Sequence, residues 1–272
     1  MGLNHSTPLQ TYQIGSREVH VKRDDLHNGT LDLPPWAKIE GIRRLLESLD
    51  NSKPLIHLTV RGSYTGGVLS YYGKSYGHDI KIAYGNSKNY PVESLVKMEE
   101  YGAELVPLKP NMMKVLYNRM KGLAEEKDWQ LSPYAMDHPV YHQYWKEKLE
   151  GYNFDNLVLL AGSGVTSVGM IRGFLNLENY MVGGEERWEK KRNVYSICTS
   201  SPRTVIRKYE EHKVYIAPNV RVEDTPYDFY DDMPHFETPF PCNPFWDKKA
   251  WCWLTQNIDR IDGSILFWNI GA

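Results

Sequence analysis

Apolar positions along the chain fall into two alternating rhythms. Short apolar runs have the length and β-branched content of buried strands: "PLIHLTV" (54–60), "DIKIAYG" (79–85), "AELVPL" (103–108), "NLVLLAG" (156–162), "NVYSICT" (193–199) and "SILFWNI" (264–270). "EVHVKRDDL" (18–26) reads as a further short strand. Between them lie stretches in which apolar residues recur every three or four positions, the spacing of one helix face. These are "WAKIEGIRRLLESL" (36–49), "TGGVLSYYGKSYG" (65–77), "PVESLVKMEEYG" (91–102), "MMKVLYNRMKGLAEEKD" (112–128), "PVYHQYWKEKLEG" (139–151) and the stretch after Gly164. Such alternation predicts an α/β fold with largely parallel sheets. Residues 217–245, rich in proline, aspartate and aromatics, read as irregular loop. The middle strands predict one lobe over 55–145, and the two ends, 1–54 with 146–272, predict the other.

Composition adds limits. With 272 residues the chain is long enough to bury a sizeable core, and 41% hydrophobic with 24% charged is globular. The formal charge of −2 gives no bulk attraction to nucleic acid or anionic membrane. Three cysteines, Cys198, Cys242 and Cys252, lack metal-ligand spacing and fit a reducing compartment. Together with the lack of an apolar leader and of a membrane-length apolar run, they lead to the expectation of a cytoplasmic protein. "MGLNHS" matches the loose acylation pattern of Gly2 with Ser6, without a basic cluster to support it.

The chemistry concentrates in "VLLAGSGVTSVGMIRGF" (158–174), an apolar strand that runs through a Gly-Ser-Gly turn into a helix. Free backbone N–H groups and the helix dipole at such a turn attract phosphate, glycine lets the backbone come close, and Ser and Thr add hydroxyls. The turn has no Gly-Lys-Ser/Thr of a P-loop and no third glycine of a dinucleotide fingerprint. His138 and His142 stand four apart in "HPVYHQYW" without an acidic third ligand at helical spacing, so packing or surface roles are expected and no metal site is.

"GSGVTSVGMIRGF" resembles the phosphate-binding loop of the pyridoxal-phosphate (PLP) enzymes of the tryptophan synthase β family, fold type II, where "GSGGTxAG" is common. Three further stretches resemble that family's aminocyclopropane-carboxylate deaminase and D-cysteine desulfhydrase branch, in the same order. "VKRDDL" (21–26) is similar to its "VKREDL", with "AKIEGIRRLLESL" standing where "GNKxRKLEYLL" carries the cofactor lysine. "PCNPFWDKKAWCWL" (241–254) is similar to "DPVYxGKAMxGL", and "ILFWNIGA" (265–272) to "VLFIHTGG".

The resemblance implies two lobes, each a mainly parallel twisted sheet flanked by helices, with PLP in the cleft. It implies Lys38 as the Schiff-base lysine, and Gly162, Ser163, Gly164, Val165 and Thr166 as the phosphate loop. Asp247 then takes the position beside the pyridine nitrogen, where a carboxylate keeps that nitrogen protonated. Trp246 replaces the family's active-site tyrosine. The carboxylate-binding loop "SNxTRQ" becomes "GSYTGG" (62–67), which leaves Ser63, Tyr64, Thr65 and Gly66 as substrate contacts.

The chain also runs shorter than the family's usual length, around residues 176–192 and 217–240, which implies a thinner lid and a bulkier substrate. Phage enzymes of this general kind act in thymidine hypermodification, decarboxylating an amino acid attached to thymine to leave an aminoethyl group. The altered loop, Asp247, Trp246 and the short chain are compatible with that chemistry. The expected activity is therefore a PLP-dependent lyase that makes a Cα carbanion, leaning to α-decarboxylation of an amino-acid group on a large substrate, with a nucleotide or DNA as its carrier. Elimination from a small amino acid, of the deaminase or desulfhydrase type, remains open. So does a protein that binds PLP or another phosphate without turnover. A homodimer, working in the host cytoplasm if viral, completes the expectation.

Overall fold

The computed structural model describes residues 7–26, 38–87, 92–177, 192–214, 219–227, 231, 233 and 235–270. Gly2 and Ser6 of the acylation pattern lie outside the described residues. The chain divides into two compact units, one formed by 1–37 with 141–272 and the other by 38–140. These divisions sit at 37/38 and 140/141, where the sequence placed them at 54/55 and 145/146.

In the first unit, strands β1 (Leu9–Ile14) and β2 (Arg17–Arg23) form an antiparallel hairpin turned at Gly15, with Ile14 opposite Arg17. Strands β7 (Asn156–Ala161), β8 (Asn193–Cys198), β9 (Val220–Asp224) and β10 (Ile265–Asn269) join it in the order β1-β2-β10-β7-β8-β9. Every pairing after the hairpin is parallel. β7 and β10 are buried along their whole length, which is why both read as unbroken apolar runs. Helices α5 (Pro139–Leu149), α6 (Val165–Leu175), α7 (Pro202–Glu211) and α8 (Asp247–Asn257) accompany this sheet. A core of Val19, Val21, Val158, Leu160, Ile197 and Phe267 packs with Trp251 and Leu254 of α8. At about 25 cal/mol per Å² of apolar surface, each such side chain contributes roughly 1.5–3 kcal/mol.

In the second unit, β3 (Leu55–Leu58), β4 (Ile80–Gly85), β5 (Glu104–Leu108) and β6 (Gln130–Leu131) form an all-parallel sheet in the order β5-β4-β3-β6. Helix α4 (Met113–Lys127) covers one face, where Leu116, Met120 and Ala124 meet Ile56, Leu58 and Ala83. Helices α1 (Ile39–Ser48), α2 (Thr65–Gly73) and α3 (Val92–Glu100) pack on one another, α2 against β4. Strand alternation points Leu55 and His57 away from the α4 face.

Four elements differ from the sequence reading. β1 and β6 were not anticipated, and β9 falls inside the segment expected to be irregular. β9 is an edge strand, charged at alternate positions, so its apolar signal is halved. α7 buries only Val205 and Tyr209 among polar neighbours, a stripe two residues wide.

Candidate functional site

The Gly-Ser-Gly corner follows β7, a strand flanked on both sides in the larger sheet. Gly164 adopts φ +83°, a left-handed conformation that glycine takes without strain, and it turns the chain directly into α6. The first helical bond runs from the Val168 N–H to the Gly164 carbonyl at 3.0 Å. The amides of Val165, Thr166 and Ser167 therefore stand outside the ladder. Among the described residues their side-chain support is one long bond, 3.4 Å from the Val165 N–H to Ser163 Oγ. Donors left outside the ladder at a positive helix end are suited to an anion.

Around the corner the fold is tightly fitted. A Cβ on Gly162 would lie 3.3 Å from the Trp246 ring, so the indole lies against the loop. A Cβ on Gly164 would lie 3.4 Å from Lys208 and from the Tyr209 ring. Ser200, just past β8, donates to the Gly162 carbonyl at 2.6 Å and fixes the corner from the neighbouring strand. Beside it Thr199 is 4% exposed, and among the described residues its hydroxyl has no hydrogen-bond partner. On α6, Thr166 Oγ1 shares a hydrogen bond of 3.1 Å with the buried Tyr141 hydroxyl.

Asp247 opens α8 and is 2% exposed. A carboxylate in a helix's first turn is favoured by the helix dipole. Its charge adds to burial in pushing the Cys242 thiol well above the usual range. Trp246, one residue earlier, is half-buried.

In the second unit, Lys38 immediately precedes α1 and accepts at its carbonyl the Ile42 N–H, 3.0 Å away. Its ammonium is close enough to His57 to act on it: burial first, then the Lys38 charge, lower the imidazole to about 4. His57 Nδ1 and Ser132 Oγ share a hydrogen bond of 2.8 Å, so the ring is held neutral and oriented. The loop Val60–Tyr64 closes a turn from the Ser63 N–H to the Val60 carbonyl at 3.0 Å. Tyr64 stands at the entry to α2 without capping it, and Thr65 and Gly66 are buried in its first turn. Ser63 Oγ accepts the Thr65 N–H at 3.3 Å. Gly66 sits so close to Thr59 that a Cβ would come 2.8 Å from its hydroxyl.

The structure thus brings Gly162 and Trp246 together in one unit, and Lys38 near His57 in the other. Asp247 is contiguous with Trp246, and Ser63 to Gly66 are contiguous with one another. Sequence reasoning passed over Tyr141, Ser200, Thr199 and His57, none of which stands in a recognisable spacing. His142 is buried, its ring 4.7 Å from that of His212.

The residues at the corner fit a phosphorylated cofactor: among the described residues the amides at the start of α6 stand outside the helical ladder, next to a glycine whose Cβ would crowd the Trp246 indole. No family model matches the chain. It is 26% identical, across 98% of its length and 99% of the other's, to the glycyl-dTMP PLP-dependent decarboxylase of Pseudomonas phage M6. Among solved structures, an ACC deaminase homologue superposes with a TM-score of 0.71 at 18% identity, covering 98% of this chain and 89% of that one. A PLP-dependent aspartate racemase gives 0.71 at 13%, covering 98% and 90%. The serine racemase of Dictyostelium discoideum gives 0.69 at 14%, covering 98% and 92%. The chain has the fold of the type II PLP-dependent enzymes.

Proposed function

We propose that the protein is a PLP-dependent lyase that decarboxylates an amino-acid group carried on a thymine nucleotide. One observation carries the reading: the end-to-end match to a decarboxylase whose name specifies glycyl-dTMP, an amino acid on a nucleotide. PLP, when bound, supplies an electron-withdrawing ring that takes up the electron pair left at Cα as carbon dioxide departs.

The chain's own residues have these roles. The amides of Gly162 to Thr166, with the Ser163 and Thr166 hydroxyls, hold the cofactor phosphate. Lys38 would hold the cofactor aldehyde through its ε-amine, and that amine, once displaced by the substrate's, or a bound water, would return a proton to Cα. Neutral His57 adds no second positive charge beside that amine. Asp247, buried at a helix start, would hold a proton on the ring nitrogen of the bound cofactor. Trp246 lies over the phosphate loop in place of a phenol, so it packs without donating or accepting a proton. Ser63, Tyr64, Thr65 and Gly66 present the start of α2 to the substrate, with the entering N–H groups suited to an anionic group. DNA as carrier, a homodimer and a cytoplasmic setting belong to the same proposal.

The test is reconstitution with PLP, followed by substrate. The wild type is expected to show a visible absorption band that borohydride abolishes, and to release carbon dioxide from an aminoacyl-thymidine nucleotide. Lys38→Ala is expected to lose both the band and turnover. Persistence of the band in Lys38→Ala overturns the lysine assignment. Ammonia or pyruvate in place of carbon dioxide overturns decarboxylation in favour of elimination.

A further inference from the structure

The Thr166 hydroxyl, in the first turn of α6, is met by a phenol from another helix. Tyr141 on α5 is 1% exposed, and its hydroxyl oxygen lies 3.1 Å from Thr166 Oγ1. The Tyr141 ring is held edge-on by Trp145, with ring centroids 6.2 Å apart at 71°. Burial pushes the phenol up to about 12, so it keeps its proton. A threonine hydroxyl has one proton to give and two lone pairs, whereas a phosphate dianion offers acceptors alone. When Thr166 gives its proton to a phosphate, it must accept from its other partner, and Tyr141 supplies that proton.

We infer that Tyr141 is a positioning residue for phosphate binding: it donates to Thr166 Oγ1 and so aims the threonine proton at the phosphate oxygen. The inference rests on the PLP reading of the loop. Hydrogen bonds arranged head to tail in this way polarise one another, and the last in the chain, to an anion, strengthens most. Without the phenol, Thr166 is free to turn its proton elsewhere, at a cost to phosphate affinity.

The experiment compares PLP with pyridoxal, which lacks the phosphate, by absorbance titration of the purified wild type, Tyr141→Phe, Thr166→Val and the double variant. Loss of one such bond predicts PLP affinity about tenfold weaker in Tyr141→Phe, with pyridoxal affinity unchanged. In the Thr166→Val background Tyr141→Phe is expected to add nothing. In Thr166→Ser, which keeps the hydroxyl, it is expected to act in full. Equal loss for PLP and pyridoxal overturns the inference, since a general loosening of the fold does not discriminate between them. Unchanged PLP affinity in Tyr141→Phe, or independent effects in the double variant, does the same. A wild type that binds PLP no tighter than pyridoxal overturns the phosphate reading itself, and this inference with it.

Discussion

Two polar regions of the first unit look alike as sequence and behave as opposites in the fold. After β2, Asp24 and Asp25 are buried, and their oxygens are occupied. Asp24 accepts from Thr7, from Lys148 at 2.8 Å and from the Trp268 indole at 2.8 Å. Asp25 takes a two-pronged bond from Arg23 at 2.7 and 2.6 Å and one from Asn269 at 2.9 Å. Lys148 is correspondingly pushed upward by Asp24 against the pull of its own burial. At the Gly-Ser-Gly corner the reverse holds: amides are left outside the ladder, and among the described residues the Thr199 hydroxyl has no partner. A buried polar group with all its partners inside the chain serves the fold, whereas the amides at the start of α6 are left able to serve an anion.

The largest test of that contrast is Asp24→Asn. Removing the charge leaves Lys148 buried and uncompensated, and a loss of about 3–5 kcal/mol is expected in denaturant unfolding, with PLP affinity of the folded fraction unchanged. A loss within the range of ordinary surface substitutions would mean that the network is ornamental.

His57 extends the contrast to the second unit. Its folded value of about 4 lies below the ordinary 6.5, so the unfolded chain takes up the proton first. The corresponding stability is complete above pH 6.5 and is lost as pH falls toward 4. Relative to His57→Gln, the wild type is expected to lose up to about 3 kcal/mol across that window, measured as unfolding free energy against pH. Parallel curves for the two proteins would show that the ring titrates freely.

Gly164→Ala is the smallest. The left-handed backbone makes the change cost about 1 kcal/mol of stability, while its new methyl fits at ordinary contact distance. Weaker PLP binding is expected alongside, read by titration. Lost stability with unaltered PLP affinity would detach the corner from the ligand.

Much of this was legible in advance because its signal is local. β7, β8 and β10 read as largely apolar runs, and Gly-Ser-Gly between a strand and a helix reads either as an anion site or as a plain connection, a choice that only the wider resemblance decides. The resemblance then placed Lys38, Asp247 and Trp246, which no spacing within the chain singles out. What escaped were features made by distant partners. His57 looked like one polar letter in a buried strand, since Ser132 lies 75 positions away. Tyr141 is one position of a helical stretch in sequence, although its hydroxyl meets a residue 25 positions on. β1 and β9 sit at sheet edges, half facing solvent, where the alternation of apolar residues is weakest.

The placement of β10 bears on how the molecule is made. This strand, the last of the larger sheet to leave the ribosome, slots between β2 and β7. Until it arrives, the nascent polypeptide has two parallel rows of bare amides and carbonyls with nothing between them, ready to recruit any extended neighbour. A chain cut short before Ile265 would thus present a sticky half-sheet, and chaperone demand should be highest while β10 is still missing.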